Sequence, residues 1–243
     1  MLSTRELERY NRQMRMGGWG ETTQQKLKGS RVFIAGAGGL GSPAAIYLAV
    51  AGVGHITICD SDSPELTNLN RQILHDHTRI GMNKATSGKR TLELQNPDIS
   101  ITAVTDRITA RNVDDLVGEA EVILDCLDNY PARFLLNETA IRKRVPLVHG
   151  SVWGMEGRLA FLRPPETPCL RCLFAEAPPA EVFPVLGATP GVIGCLQALE
   201  TIKFLTGIGR NLEGRLLVWD GNQMEFRHYK VRKDPNCEAC GGL

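Results

Sequence analysis

Apolar residues along this chain come in short runs that end on glycines or acids, and the runs alternate with segments of helical texture. The clearest case is RVFIAGAGGLGSPAAIYLAVAGVGHITICDSD, which begins at Arg31. One apolar run closes on glycines, an alanine-rich segment follows, and a second apolar run closes on Asp60 and Asp62. Short apolar runs bounded by turn residues read as buried strands, and the alanine-rich insert as the helix joining them. Further strand-like runs occupy Ile99 to Val104, Glu121 to Cys126 and Val145 to His149, separated by polar, helix-competent segments. This alternation predicts an α/β fold, a Rossmann-like, mostly parallel sheet with helices on both faces.

After His149 the texture changes. Gly157 to Leu162 and Arg215 to Val231 read as strands that pair antiparallel, and a helix is expected from about Gly191 to Leu205. Between them lies the proline-rich stretch PPETPCLRCLFAEAPPAEVFP. The segment ahead of Ser30 reads as helical, with Arg5, Arg9, Arg12 and Arg15 spread along it. Such a charged helix is commonly a solvated face. One continuous core with a small metal-braced lobe is the expected arrangement.

Composition narrows the picture. The 243 residues are 42% hydrophobic and 23% charged, with Lys+Arg 28 against Asp+Glu 27 and a formal net charge of +1. A chain of this length buries roughly 70–75% of the surface its unfolded form exposes, so it needs no covalent staples. The balanced charge removes the main electrostatic argument for a nucleic-acid partner. The opening residues, MLSTRELERYNRQMRM, lack the apolar centre of a secretory signal. The longest apolar run, Ala44 to Val53, falls far short of the ~20 residues that span a bilayer. A cytoplasmic protein without a membrane partner is expected. In a reducing compartment the odd count of seven cysteines points to metal binding or catalysis before disulfides.

Gly36, Gly38 and Gly41 fit G-x-G-x-x-G directly after a predicted strand, and Asp60 ends the next one. Glycines let the backbone approach a phosphate, a helix N-terminus supplies amide donors, and an acid at the next strand end accepts ribose hydroxyls. The competing reading is tight packing by glycines. Asp62 adds a second carboxylate near the sugar. Beyond the second strand, TNLNRQ supplies Asn68 and Arg71, and GMNK supplies Lys84. An amide and two cations suit a triphosphate rather than a nicotinamide dinucleotide, although a surface ion-pair cluster would read the same way. In ILDCLDN, Asp128 lies just past a strand end, placed either to hold magnesium against phosphate oxygens or to cap the following helix.

Cys169-Leu-Arg-Cys172 and Cys237-Glu-Ala-Cys240 form two Cys-x-x-Cys knuckles. Four thiolates make a closed, structural tetrahedral zinc site, here tying the C-terminal region back to the proline-rich segment. A redox dithiol is the runner-up, but that chemistry favours one such pair in a strand-helix context. Cys59, Cys126 and Cys195 sit among apolar or small residues and read as core thiols.

Together, GAGGLGSPAAIYLAVAGVGHITICDSD, TNLNRQ, GMNK, LDCLDN, the two knuckles and GVIGCLQALETIK resemble the MoeB, ThiF and HesA adenylyltransferases, a branch of the ubiquitin-activating-enzyme superfamily. The likeness runs from ERYNRQ to the last knuckle. It implies a single domain over residues 1–243, with a helical arm (1–30), a nucleotide-binding core (31–150) and a carrier-binding, zinc-braced part (151–243). It also implies that ATP with Mg2+ activates the C-terminal Gly-Gly carboxylate of a small β-grasp sulfur-carrier protein, leaving an acyl-adenylate and pyrophosphate.

By the same resemblance, Gly39 and its neighbours approach the nucleotide and Asp60 holds the ribose. Asn68, Arg71 and Lys84 line the phosphates, while Asp128 with Asn129 closes the site and positions magnesium. Arg12 reaches the phosphates of a neighbouring subunit, which makes a homodimer the expected unit. The chain departs from the thiamine-pathway pattern in its crossover loop, EAPPAEVFPVLGATPG, which holds no cysteine. That departure, and the short stretch after Cys240, favour a MoeB-like enzyme that only adenylates, with sulfur from a separate cysteine desulfurase or rhodanese-type donor. A ThiF-like thiamine-pathway enzyme, or a non-catalytic binding subunit of the same fold, are the alternatives.

Overall fold

A computed structural model of the chain describes residues 1–177 and 184–243. In chain order the elements are α1 (Thr4–Arg9), α2 (Asn11–Met14), α3 (Gly20–Gly29), β1 (Arg31–Ala35), α4 (Gly41–Ala51), β2 (His55–Cys59), α5 (Lys84–Gln95), β3 (Ser100–Val104) and α6 (Val113–Val117). They continue with β4 (Val122–Asp125), α7 (Tyr130–Lys143), β5 (Leu147–Trp153), β6 (Glu156–Leu162), α8 (Leu170–Leu173), α9 (Ala188–Thr206), β7 (Arg215–Asp220) and β8 (Glu225–Lys230).

The strands form one eight-stranded sheet in the order β3-β2-β1-β4-β5-β6-β7-β8. Pairing is parallel from β3 to β5 and antiparallel from β5 to β8. The expected mixed α/β architecture is therefore present. Strands covered on both faces are largely apolar, and β4 is buried at every position, its terminal Asp125 included, while β1 is buried at all but Arg31. At the other edge every residue of β8 is exposed.

Buried apolar side chains divide into two clusters, one around Ile34, Leu48 and Phe161 and the other around Phe33, Leu136 and Leu170. The neighbours Phe33 and Ile34 belong to different clusters because successive side chains of a strand point to opposite faces. One continuous core was the expectation; the sheet instead partitions it. The N-terminal region is helical as expected, in three short helices. β5 continues past the expected end at His149 because its Leu147–Trp153 stretch pairs along its whole length with β6, through the turn at Gly154, where φ is 58°. Among the described residues no helix is long and apolar enough to cross a membrane.

Candidate active site

The carboxyl ends of the parallel strands open on a cavity of about 1220 Å³. It lies where the strand order reverses between β1 and β4, the position at which open α/β sheets leave a crevice. Its walls include Gly36, Gly38 and Gly39 after β1, Asp60 and Asp62 after β2, Arg71, Lys84 on α5, and Asp128 and Asn129 after β4. Ser151, Trp153 and Arg158 of the β5–β6 hairpin form the far wall.

The glycines divide by role. Gly36 has φ 98°, and a methyl group there would lie 2.7 Å from the Cys126 carbonyl oxygen. A methyl at Gly41 would lie 1.9 Å from the Gly36 carbonyl oxygen. Both positions are dictated by backbone packing of the turn against β4 and α4. At Gly38 the nearest atom to such a methyl is the Gln72 side chain at 3.6 Å, so the protein itself leaves that position open towards the cavity. Glycine packing thus accounts for Gly36 and Gly41, while Gly38 leaves the backbone open to the cavity.

Polar contacts hold this turn. Asp60 accepts the Ala37 amide through Oδ2 at 2.8 Å and the Asp62 amide through Oδ1 at 2.9 Å. Burial pushes its pKa up, and the two amides and Lys84 oppose the shift. Each carboxylate oxygen retains a lone pair for a hydroxyl. The buried His75 ring bridges the Ala37 carbonyl and the Ser87 hydroxyl, both at 2.9 Å, and burial lowers its pKa.

Lys84 is the first residue of α5, behind the Asn83 cap, with Nζ 3.6 Å from Asp62 Oδ2. Arg71 anchors Nη1 on the Thr67 carbonyl and Asn70 Oδ1, each at 3.0 Å, and its stem passes beside Gly39. Asn129, not Asp128, caps α7, accepting the Ala132 amide at 3.1 Å. That settles the capping question and leaves the Asp128 carboxylate, an exposed hard-oxygen group on the cavity wall, without a capping duty.

Two expected residues lie elsewhere. Asn68 is not on the cavity wall, because its Oδ1 accepts the Glu65 amide at 3.2 Å and closes a short turn. Arg12 is exposed on α2 and does not line the chain's own cavity. The crossover loop lies partly outside the described residues, and its described end brings Val185 and Pro190 to the cavity.

The cysteine knuckles meet as expected. All four thiols fall within 4.8 Å of one another, with Cys169 and Cys172 3.9 Å apart, Cys169 and Cys237 3.6 Å, and Cys172 and Cys240 3.5 Å. Tetrahedral zinc, with Zn–S of about 2.3 Å, requires sulfurs ~3.8 Å apart, so this donor set fits it. Cys59 and Cys126 are buried, and burial pushes the Cys59 thiol up to about 12 and raises Cys126 further, which makes both inert thiols at neutral pH.

A profile of the ThiF family matches residues 10–239, nearly the whole of the described fold. The chain belongs to the ThiF family. Among ThiF-type relatives it is 43% identical to the heterocyst protein HesA of Trichormus variabilis, over 99% of this chain and 91% of that protein. It is 41% identical to the SAMP-activating enzyme E1 of Haloferax volcanii, over 99% and 91% of the two chains. The adenylyltransferase and sulfurtransferase MOCS3 of Culex quinquefasciatus is 43% identical over 98% of this chain but only 56% of its own length. The structure of E. coli MccB with ATP superposes with a TM-score of 0.83 at 25% identity, covering 96% of this chain and 74% of that one. ThiF-family proteins are E1-like adenylyltransferases acting on small ubiquitin-like or sulfur-carrier proteins.

Around this ThiF-family cavity the sequence reading missed Gln72, His75 and Arg133, as well as Ser151, Trp153 and Arg158 of the far wall. Gln72 and Arg133 line the cavity, and His75 holds the glycine turn from behind. Arg133 carried a usable signal. It stands four residues after the capping Asn129, one helical turn on, and so faces back over the strand end.

Proposed function

We propose that this chain uses ATP with Mg2+ to adenylate the C-terminal Gly-Gly carboxylate of a small β-grasp sulfur-carrier protein, releasing pyrophosphate. The observation that carries the reading is the convergence of Gly38, Asp60, Arg71, Lys84 and Asp128, from separate segments, on one cavity. MccB, of the same fold, was solved with ATP, which supports a nucleotide there.

In this reading Asp60 accepts the ribose hydroxyls, and the open backbone at Gly38 and Gly39 admits the phosphates. The substrate carboxylate is already ionised at pH 7, so no general base is needed. Its oxygen attacks the α-phosphorus, the bond from that phosphorus to the bridging oxygen breaks, and pyrophosphate leaves with the electron pair. Arg71 and Lys84 are fixed cations that oppose the charge growing on those oxygens. Asp128 is the carboxylate that would hold Mg2+, which when bound adds charge neutralisation on the phosphates. Arg12, exposed on α2, serves the cavity of a second copy in a homodimer. The four cysteines would hold a structural Zn2+ that braces the 151–243 part, leaving the 31–150 part to the nucleotide.

Segment 176–191 holds no cysteine, which favours adenylation alone, with sulfur delivered by a separate desulfurase or rhodanese-type protein in the cytoplasm. Molybdopterin synthesis is the pathway this reading favours. ATP–pyrophosphate exchange with purified carriers tests it. Carrier-dependent exchange and an added AMP mass on one carrier are expected, whereas no exchange with any carrier would overturn it.

A further inference from the structure

The turn between β4 and α7 carries Asp128, and the backbone just before it is gripped in an unusual way. The Leu127 amide donates to Asp125 Oδ1 at 3.2 Å, and the Leu127 carbonyl accepts from Arg133 Nη2. The two groups holding opposite sides of one residue are themselves an ion pair, with Arg133 Nε 3.6 Å from Asp125 Oδ1 and their side chains 5% and 0% exposed. Arg133 Nη2 also donates to the Gly150 carbonyl at 3.1 Å, tying the turn to β5. The other Asp125 oxygen accepts His149 Nδ1 at 2.6 Å. On the far side of Asp128, Asn129 is fixed by its own cap. Asp128 is thereby flanked by two anchored neighbours, with its side chain left to the cavity.

Stability alone does not account for this arrangement. Burying an ion pair is costly, and apolar groups of similar volume commonly serve a core at least as well. Here the cost is visible, since Arg133 Nε and His149 Nε2 are buried without a hydrogen-bond partner. What the pair supplies that apolar groups cannot is directional hold on both polar atoms of the Leu127 backbone. Reacting groups misplaced by about 1 Å can lose 10²-fold in rate.

We infer that Asp125 and Arg133 are positioning residues that act through Asp128, setting its carboxylate where it would hold Mg2+ beside the phosphates; this rests on the role given to Asp128 above. The test compares Arg133→Lys with the double variant Asp125→Asn/Arg133→Met, which leaves no unpaired buried charge if the single variant folds poorly. Each is made in the native background and with Asp128→Ala. The equilibrium readout is the factor by which Mg2+ tightens binding of a non-hydrolysable ATP analogue. A loss of about tenfold in that factor is expected in the native background, with no further loss once Asp128 is alanine. Amide hydrogen exchange at Leu127 to Asn129 should quicken while α7 stays protected. Losses that simply add to those of Asp128→Ala, or an unchanged factor in folded variants, would overturn the inference. If native protein binds the analogue in a Mg2+-dependent way but exchanges with no carrier, the adenylation reading fails while the positioning inference is still decided by the cycle.

Discussion

The cysteine lobe and the cavity reach their chemistry by opposite routes. Each knuckle brings two thiols together across two intervening residues, and docking one knuckle on the other places four sulfurs within 4.8 Å. The cavity instead collects Gly38, Asp60, Lys84 and Asp128 from separate places along the chain, and no short stretch contains more than a fraction of the site. In the lobe the functional groups satisfy one another. In the cavity the backbone is satisfied so that a few side chains are not, as at the turn where Asn129 takes the cap and Asp128 is left over. The lobe should therefore respond to substitution through stability, and the cavity through ligand binding and rate.

The largest expected departure is Asp128→Ala, which should lower carrier-dependent ATP–pyrophosphate exchange by roughly 10²–10³-fold, the usual cost of losing one transition-state contact. Its thermal midpoint should match the native protein's. A parallel loss of stability would break the contrast.

Next come the glycines, which sharpen it within a single turn. Gly41→Ala forces a methyl group to 1.9 Å from a backbone oxygen and should destabilise by about 3 kcal/mol, measured by urea unfolding. Gly38→Ala, with nothing nearer than 3.6 Å, should unfold like the native protein yet bind ATP more weakly. Equal stabilities for the two variants would show that the packing argument is wrong.

Cys237→Ser tests the lobe. Metal content should fall from about one ion per chain towards none, and the thermal midpoint by about 5 °C, roughly 1–2 kcal/mol for a chain of this size. Analogue binding in the cavity should stay near its native value at temperatures where the variant is folded. A variant with full metal content and an unchanged midpoint would remove the brace.

A pH dependence is also expected, from two buried histidines behind the cavity wall. Burial holds the folded-state pKa values of His75 and His149 below the ordinary 6.5. As pH falls the unfolded chain takes up protons first, so stability is full above about 6.5 and is lost as pH drops from there to the lower folded values. The slope approaches about 1.4 kcal/mol per pH unit per histidine. Urea unfolding between pH 7.5 and 5.5, with metal content followed in parallel, measures it. Stability that stays flat over that range would contradict the burial argument.

Much of this was legible in the chain. Apolar runs located β1 to β4, most clearly β1 and β4, which are covered on both faces and so are largely apolar. The knuckles announced their sulfur cluster because their chemistry is local. Harder cases were those where one residue type serves two ends. Asn68 and Asn129 both looked like ligand groups, yet each spends its side-chain oxygen on a backbone amide, at Glu65 and Ala132. Asx side chains compete for nearby amides whatever the wider fold, and only the local geometry shows when they succeed. The helical spacing of Arg133 from Asn129 was legible, but its buried pairing with Asp125 and its bond to Gly150 arise only when β4, α7 and β5 assemble.

By itself the sequence determined the order of strands and helices, the glycine turn with its acid at the next strand end, and the thiol count of the lobe. These follow from periodicity and spacing, which any short window of the chain carries. The tertiary structure decided which glycines face the cavity, which carboxylate is left without a capping duty, and that a buried ion pair grips the residue before it. Those outcomes depend on distances between segments far apart in sequence, set by strand register and by the sheet's reversal between β1 and β4, and no local pattern encodes them.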